Sequence, residues 1–454
     1  MTTARSCCPP GARARFATAR GTILIVVLWV SLGLVTVTLL FGHAMMLSFR
    51  AADNTLANTQ AAQAVEAGVR YAEYLLANLE TPGELPAEDT YPREYVPVGE
   101  GAFWFLSRSG ETGTQRQRVF ALNDECAKLN LNTATLEMLE ALPNMTAEFA
   151  ASIIDWRDED EEPQENGAES QYYGFLDPPY RCKNAPFESV EELRWVAHAT
   201  YSILYGEDAN RNGLLDDNEN DGDASWPPDD QDGVLDEGII EYVTVYSREP
   251  NTDDEGSARI NINSGQEELT SLLQETFGDQ RAQEITGRLA GNQNLGSVLE
   301  FYIRSGLTAD EFSQIDDQLT ASEDDPAEGL IDVNTASAVV LACLPGMDEQ
   351  KADTLVAHRR SSVTDFASLA WVAEVLEEDV AFEVGPYLTA RTYQVCADVV
   401  GVGRLGRGYS RSQVIIDVSG EAPQIVYRKD LSGSGWSLGG DTMQQLAQMR
   451  QSSR

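Results

Sequence analysis

Basic residues are scarce in this sequence, and histidine is scarcer. Lysine and arginine together number 32 against 73 aspartates and glutamates, for a formal net charge of −41, and 454 residues include 3 histidines. His43, His198 and His358 lie far apart. That spacing excludes a histidine-rich zinc cluster and a histidine-based catalytic centre. No nucleophile–base constellation, phosphate loop or metal-hydrolase spacing stands out, so the reading is of a protein that is not an enzyme. The charge is also unevenly placed. Residues 1–21 hold Arg5, Arg13, Arg15 and Arg20 and no acid, which leaves 28 of the 32 bases to face all 73 acids in the rest. A body of that sign repels phosphate backbones, so no nucleic-acid partner is expected. It suits calcium or basic partner surfaces.

Charge is absent altogether from residues 22–49 (TILIVVLWVSLGLVTVTLLFGHAMMLSF). At about 1.5 Å per residue such a run exceeds a hydrocarbon core of about 30 Å. It is too long for the apolar region of a cleaved secretory signal. Arginines precede it and the first acid, Asp53, follows it, so the positive-inside rule leaves the N-terminus in the cytoplasm and the bulk outside. A plain signal anchor fits the span. So does a leader that resembles those of type IV prepilins, ending in Gly21 with the cut before Thr22. Proline is absent from Arg50 to Glu80, and Gly68 is the one glycine there. Val65, Val69, Ala72, Leu76 and Leu79 form one apolar stripe at helical spacing. The helix is therefore expected to continue to about residue 80, where Thr81-Pro82-Gly83 ends it.

Strand signals are few. Ala102–Ser107 and Arg118–Leu122 read as two strands, and Thr392–Val399, Ser412–Val418 and Gln424–Tyr427 as three more. They predict one antiparallel sheet interrupted by a long insertion. The tail from 431 is polar and expected to be loose. Within the insertion a unit recurs three times. Asn132-Thr133-Ala134, Asn263-Ser264-Gly265 and Asn334-Thr335-Ala336 open the copies, each after an extended piece: Leu129-Asn130-Leu131, Ile260-Asn261-Ile262 and Ile331-Asp332-Val333. Two helices joined by a turn follow. The copies close at Phe187-Glu188-Ser189-Val190, Leu295-Gly296-Ser297-Val298 and Phe366-Ala367-Ser368-Leu369. The first copy is longer, and the polar stretch 158–181 accounts for the difference. The Asn-Thr/Ser pair is expected to cap the following helix. The pairs resemble helix-hairpin-helix units, but the Gly-x-Gly that presents N–H groups to a phosphate is missing. Asn144-Met145-Thr146 and Gly346-Met347-Asp348 stand there instead, the latter placing a carboxylate where a phosphate would sit.

Residues 206–237 contain one base, Arg211. Asp208–Glu219 matches the twelve-position EF-hand loop. Asp208, Asn210 and Asn212 supply oxygens at positions 1, 3 and 5, and Gly213 makes the turn. Leu214 offers its carbonyl, Leu215 is expected to pack inward, Asp216 stands at 9 and Glu219 at 12. Asp221, Asp223, Asp230, Asp232 and Asp236 are candidates for a second, shared site. The cofactor expected is structural calcium. Cys7 and Cys8 lie in the leader. Cys126, Cys182, Cys343 and Cys396 allow three pairings, none selected by the sequence, and Cys343 suits a buried thiol.

Taken together, Gly21 with its LIVVLWV run, Leu129–Ala134, Ile154-Asp155-Trp156-Arg157-Asp158, Tyr172-Tyr173, Asn184-Ala185-Pro186-Phe187 and Glu191-Glu192-Leu193 resemble the general secretion pathway protein K family, the large minor pseudopilin of type II secretion. The resemblance implies an α+β fold: a long N-terminal transmembrane helix, a pilin-like antiparallel sheet and a large inserted all-α domain with helix-hairpin-helix-like repeats. The corresponding boundaries are 1–21 for the leader, 22–81 for the spine, 95–127 and 389–430 for the sheet, 128–388 for the insertion and 431–454 for the tail. It further implies cleavage after Gly21 by a prepilin peptidase, methylation of Thr22, and an inner-membrane, single-pass protein with its bulk in the periplasm. Partners would be the I- and J-type minor pseudopilins and the major pseudopilin. Most pilin-like subunits carry Glu as the fifth mature residue, to pair with a neighbour's N-terminal amine; here that position is Val26. A subunit without the acid suits the filament tip, where it would start or cap assembly. The rival reading is a membrane-tethered periplasmic DNA receptor built on the same helix pairs. Charge, the missing Gly-x-Gly and the flanking strands oppose it.

Overall fold

An uncharged run followed by a proline-free one folds as a single helix, Arg20–Leu76. The computed structural model describes residues 20–79, 81–107, 120–291, 294–361 and 366–452. Most of the expected leader, with Cys7 and Cys8, lies outside the described residues, and Gly21 and Thr22 are described in backbone only, as helix. From Ile23 the apolar side chains are exposed, and a window of the helix reaches a mean hydropathy of 2.7, enough in length and composition to cross a membrane. Its hydroxyls bond back to the helix: Thr36 Oγ1 donates to Leu32 O at 2.8 Å and Thr38 Oγ1 to Leu34 O at 2.7 Å. Such back-bonding lets polar groups sit in an apolar setting.

From Ala57 onward the chain forms one compact unit. Here the helix turns amphipathic as its stripe predicts. Ala64, Val65, Val69, Ala72 and Leu76 are buried against Phe103, Phe105, Val395, Ala397, Val399, Val414 and Ile416, with Leu79 half-buried beside them. The approach is close. A Cβ on Gly68 would meet Val399 Cγ1 at 2.5 Å, and one on Gly401 would meet Ala61 O at 2.2 Å.

The sheet is antiparallel throughout, in the order Val96–Val98, Gly101–Leu106, Gln394–Val402, Tyr409–Asp417, Gln424–Asp430. Asn123–Asp124 also pairs with the Gln394–Val402 strand, Val395 opposite Asp124. The central strand thus comes from beyond the insertion and binds strands from before it. Of the expected 118–122 strand, residues 118 and 119 lie outside the described residues, and Phe120–Leu122 are not strand. The Leu122 N–H goes instead to the Tyr91 hydroxyl at 3.0 Å, and pairing begins one residue later. The tail departs from expectation too. Gly439–Ser452 is a helix, and its buried Leu446, with Leu438, packs on Ala102, Trp104, Leu106, Val400 and Val402. Two apolar anchors suffice to hold a helix that reads as polar.

The three repeat copies share one hydrogen-bond framework. Asn132 donates to Phe187 O at 3.0 Å and accepts from Phe187 N at 2.7 Å. Asn263 makes the same pair with Leu295, at 2.9 and 2.8 Å. Asn334 donates to Phe366 O at 2.9 Å. The asparagine therefore fastens the opening of each copy to its close and caps no helix. In the first and third copies capping falls to Thr135 and Ser337, whose hydroxyls accept from Met138 N and Val340 N. Each extended piece pairs in parallel with a two-residue strand that ends in threonine: Leu129-Asn130 with Val243-Thr244, Ile260-Asn261 with Leu319-Thr320, and Ile331-Asp332 with Leu388-Thr389. Arg157 and Arg359 occupy equivalent places in the first and third copies, donating to Leu131 O and Val333 O.

Cys126, Cys182, Cys343 and Cys396 are all free and buried, so no pairing forms among them. Burial pushes the Cys343 thiol up to about 12, as suits an inert core thiol.

Candidate metal loop and its anchoring

The acidic segment is clasped at its base. Gly206 pairs with Glu237, Glu207 N donates to Asp236 O at 2.9 Å, and Asp236 N donates to Glu207 Oε2 at 3.1 Å. Gly206 is at φ 60, and a Cβ there would meet Asp236 O at 2.2 Å, so only glycine fits the clasp.

Inside it, the first half is ordered by its own polar groups. Asp208, Asn212 and Glu219 are buried, at 4%, 3% and 1% exposure, although all three are polar. Asn210, Leu214 and Asp216 are half-buried. Asp208 accepts from Asn212 N and Gly213 N, each at 3.0 Å, and Gly213 turns at φ 68. Asn212 Oδ1 accepts from Leu214 N at 2.6 Å. The amides of Asn210 and Asn212 both reach Asp216 Oδ2, at 2.6 and 2.9 Å. Glu219 closes the loop at both ends, accepting from Ala209 N at 3.1 Å and Asp216 N at 3.0 Å. Positions 1, 3, 5, 9 and 12 are thus joined in one hydrogen-bond network. Burial, joined by the charges of Asp208 and Asp216, raises the Glu219 carboxyl to about 7 against the bonds from Asp216 N and Ala209 N that lower it. Buried oxygens that repel one another are the donor chemistry of a hard cation. Leu215, expected to pack inward, is 36% exposed, because the following short helix turns its side chain out.

The second half differs. Asp223, Asp230, Asp232 and Asp236 are exposed and Asp221 is half-buried. Burial raises Asp236, with smaller contributions from Asp232 and Asp230. Asp229, which the loop pattern did not single out, organises this half. Its carboxylate accepts from Asp221 N, Gly222 N and Gln231 N, each at 2.9 Å.

The first loop is also tied to the sheet. Arg411, 1% exposed, donates to Asp398 Oδ1 at 2.8 Å and to the Arg211 carbonyl, inside the loop, at 2.8 Å. Arg211 and Lys429 both pair with Glu191, and the Tyr427 hydroxyl donates to the same carboxylate at 2.8 Å. No sequence signal links residues this distant.

The supposed phosphate position in the third copy is filled internally. Asp348 accepts from Lys351 N at 2.9 Å, and a Cβ on Gly346 would meet Glu383 Oε2 at 2.4 Å. Val26, in the N-terminal helix, is exposed.

Two stretches match family models described as type II secretion system (T2SS), protein K, over residues 122–205 and 331–382. They contain the opening and helix pair of the first and third repeat copies. The type II secretion system protein K of Klebsiella pneumoniae is 35% identical over 107 residues, which are 20% of this chain and 33% of that protein. The chain thus spans about a third of the length of the curated relative it matches. The crystal structure of the GspK-GspI-GspJ complex from the enterotoxigenic Escherichia coli type 2 secretion system aligns over 84% of this chain and 98% of that one, with a TM-score of 0.40 and 12% identity. A superposition so loose carries no residue roles across. The class that the matched stretches resemble is a component of a bacterial secretion system. Within it, these two stretches of the chain are similar to the type II secretion system protein K family.

Proposed function

We propose that the protein is a minor pseudopilin at the tip of a type II secretion pseudopilus, where it starts or caps assembly for protein export across the outer membrane. The observation that carries this reading is Val26. A mature N-terminus at Thr22 would leave an amine at the edge of the membrane, and such a charge is expensive unless paired. Valine at the fifth mature position offers no carboxylate to the amine of another subunit. The chain can accept a place above its neighbours but cannot serve as the acid partner below one. The size of the insertion between the sheet strands supports the same position, since a winding shaft has little room for it.

In this reading Gly21 is the last leader residue, and a prepilin peptidase cuts before Thr22, which is then methylated. The helix from Ile23 anchors the chain once in the inner membrane, with the N-terminus cytoplasmic and the body periplasmic. The partners are I- and J-type minor pseudopilins, with the major pseudopilin beneath. Calcium is the structural ion of the Asp208–Glu219 loop, held by Asp208, Asn210, Asn212, the Leu214 carbonyl, Asp216 and Glu219. Its work would be to neutralise their repulsion and fix the loop that Arg411 holds to the sheet.

The test is mass spectrometry of the N-terminus in membranes with and without the prepilin peptidase, followed by capture of the I- and J-type subunits on the tagged chain. The expected result is a methylated Thr22 start that depends on the peptidase, and a ternary complex. Replacing Val26 with Glu is expected to leave cleavage intact and to shift the chain from the tip toward the shaft. An unprocessed Met1, or no complex with either subunit, would sink the reading.

A further inference from the structure

A second group of acids lies outside the loop, in the stretch that lengthens the first repeat copy. Asp155 ends the Ala147–Arg157 helix on its buried side, Asp158 follows as the C-cap, and Glu169 sits immediately before the Ser170–Tyr173 turn of helix. Their carboxylate oxygens lie within 4.8 Å of one another. Asp155 is 0% exposed and Glu169 4%. Asp155 Oδ1 accepts from Gln164 N at 2.9 Å. Asp155 Oδ2, Asp158 Oδ1 and both oxygens of Glu169 are buried with no hydrogen-bond partner.

Four buried carboxylate oxygens without a hydrogen-bond partner are costly, and no basic side chain bonds to them. Arg157 is the one base between residues 155 and 169. Its guanidinium is spent on the carbonyls of Leu131 and Ala134. The Cys182 thiol donates to the backbone oxygen of Asp155 at 3.4 Å. Asp155 and Asp158 also stand at a helix C-terminus, where the helix dipole disfavours negative charge and favours a cation. The chain nevertheless builds the site closely. A Cβ on Gly167 would meet Asp155 Oδ2 at 1.9 Å, so the turn is drawn tight over that carboxylate.

We propose that Asp155, Asp158 and Glu169 hold a hard divalent cation, calcium in the first instance, at a site separate from the Asp208–Glu219 loop. Two oxygens each about 2.4 Å from one calcium ion can stand up to about 4.8 Å apart, and the three carboxylates here fall inside that limit. The donors are all oxygen, which selects calcium or magnesium over zinc or copper. Water or backbone carbonyls complete the shell. The ion pins the polar 158–181 stretch to the end of the Ala147–Arg157 helix, and so to the helix pair of the first repeat copy.

The test counts bound calcium on the full-length chain in detergent, stripped with EGTA and then dialysed against millimolar calcium. The variants are Glu169→Gln, Asp158→Asn and Gly167→Ala, with Glu219→Gln for the loop. The expected result is one ion fewer per chain in Glu169→Gln and Asp158→Asn, and a further loss when either is combined with Glu219→Gln. Gly167→Ala keeps every carboxylate and displaces Asp155, so it should weaken the same ion. Thermal unfolding in EGTA guards against a folding artefact: there Glu169→Gln should be at least as stable as the parent, since it removes a repelling charge. Equal ion counts in parent, Glu169→Gln and Asp158→Asn overturn the proposal, because the carboxyls are then held by shared protons. No bound calcium in the parent overturns it equally. A loss confined to Glu169→Gln and Asp158→Asn upholds this site and removes the ion from the loop.

Discussion

The first and third repeat copies share a framework and little else. Each has an asparagine that reads the backbone at its far end, an arginine that holds the carbonyl before that asparagine, and a parallel strand ending in threonine. The third copy stops there. The first carries two acidic elaborations, the 158–181 stretch and the 206–237 segment, and both put carboxylates into buried positions. The framework makes the fold, and the elaborations add the chemistry. Carboxylates can be placed there because the asparagine and arginine bonds of the framework do not use them.

The largest expected effect breaks the tether that only the first copy has. Arg411→Ala leaves Asp398 buried without its partner and releases the Arg211 carbonyl, at a cost of about 3–5 kcal/mol. Chemical denaturation should show that loss, and limited proteolysis should cut within 206–237. An unchanged midpoint would mean that the loop does not depend on the sheet. Next, Asn132→Ala and Asn334→Ala each remove the bonds that join a copy's two ends, for about 2–4 kcal/mol apiece. Similar losses would show that the two copies use the framework alike. A large loss at Asn132 alone would mean that the acidic elaborations strain the first copy.

Glu219→Gln sharpens the contrast in a different way. Calcium at one hundred times its dissociation constant should stabilise the parent by about 2.7 kcal/mol through the loop. The variant should lose that share in a melting experiment with and without EGTA, while Asn334→Ala should retain it. The smallest effect is a pH dependence in the third copy. Asp124 lies buried beside Asp332, and burial, followed by the Asp332 charge, pushes its carboxyl well above the ordinary range, although the hydroxyls of Thr335 and Thr392 donate to it. A raised carboxyl stabilises the fold while it keeps its proton. That contribution is full below the ordinary carboxylate value and is lost as pH climbs through the raised one. In saturating calcium the parent should therefore melt lower as pH rises from acid to neutral, and Asp124→Asn should flatten the slope. A slope unchanged by the variant would place the titration elsewhere.

Where sequence reading succeeded and failed follows from the range of each interaction. The stripe of Val65, Val69, Ala72 and Leu76 was legible because helical burial has a short period. The Asp208–Glu219 pattern is equally local, its positions lying within twelve residues, and its ion remains a proposal. The three asparagines were visible as a repeat, but their role was misread as capping, since Phe187 and Leu295, the groups they bind, lie far along the chain. The partner strands Val243-Thr244, Leu319-Thr320 and Leu388-Thr389 are too short to leave a pattern. Of the Asp155–Asp158–Glu169 cluster, the two aspartates read only as part of a family-like motif and Glu169 only as part of a polar stretch. Its meaning came from burial, which composition does not record.

The interleaved sheet sets an order on folding. Gly101–Leu106, with Phe103, Trp104 and Phe105, is made early, yet its partner Gln394–Val402 follows the whole insertion. In a chain delivered N-terminus first, those three aromatic rings wait for about 290 residues to arrive before they can be covered. The repeat copies, the first and third of which share one core, can fold during that wait. The nascent chain therefore passes through a stage with a finished middle and an unfinished, sticky beginning, and it is at this stage that a chaperone would have most to protect.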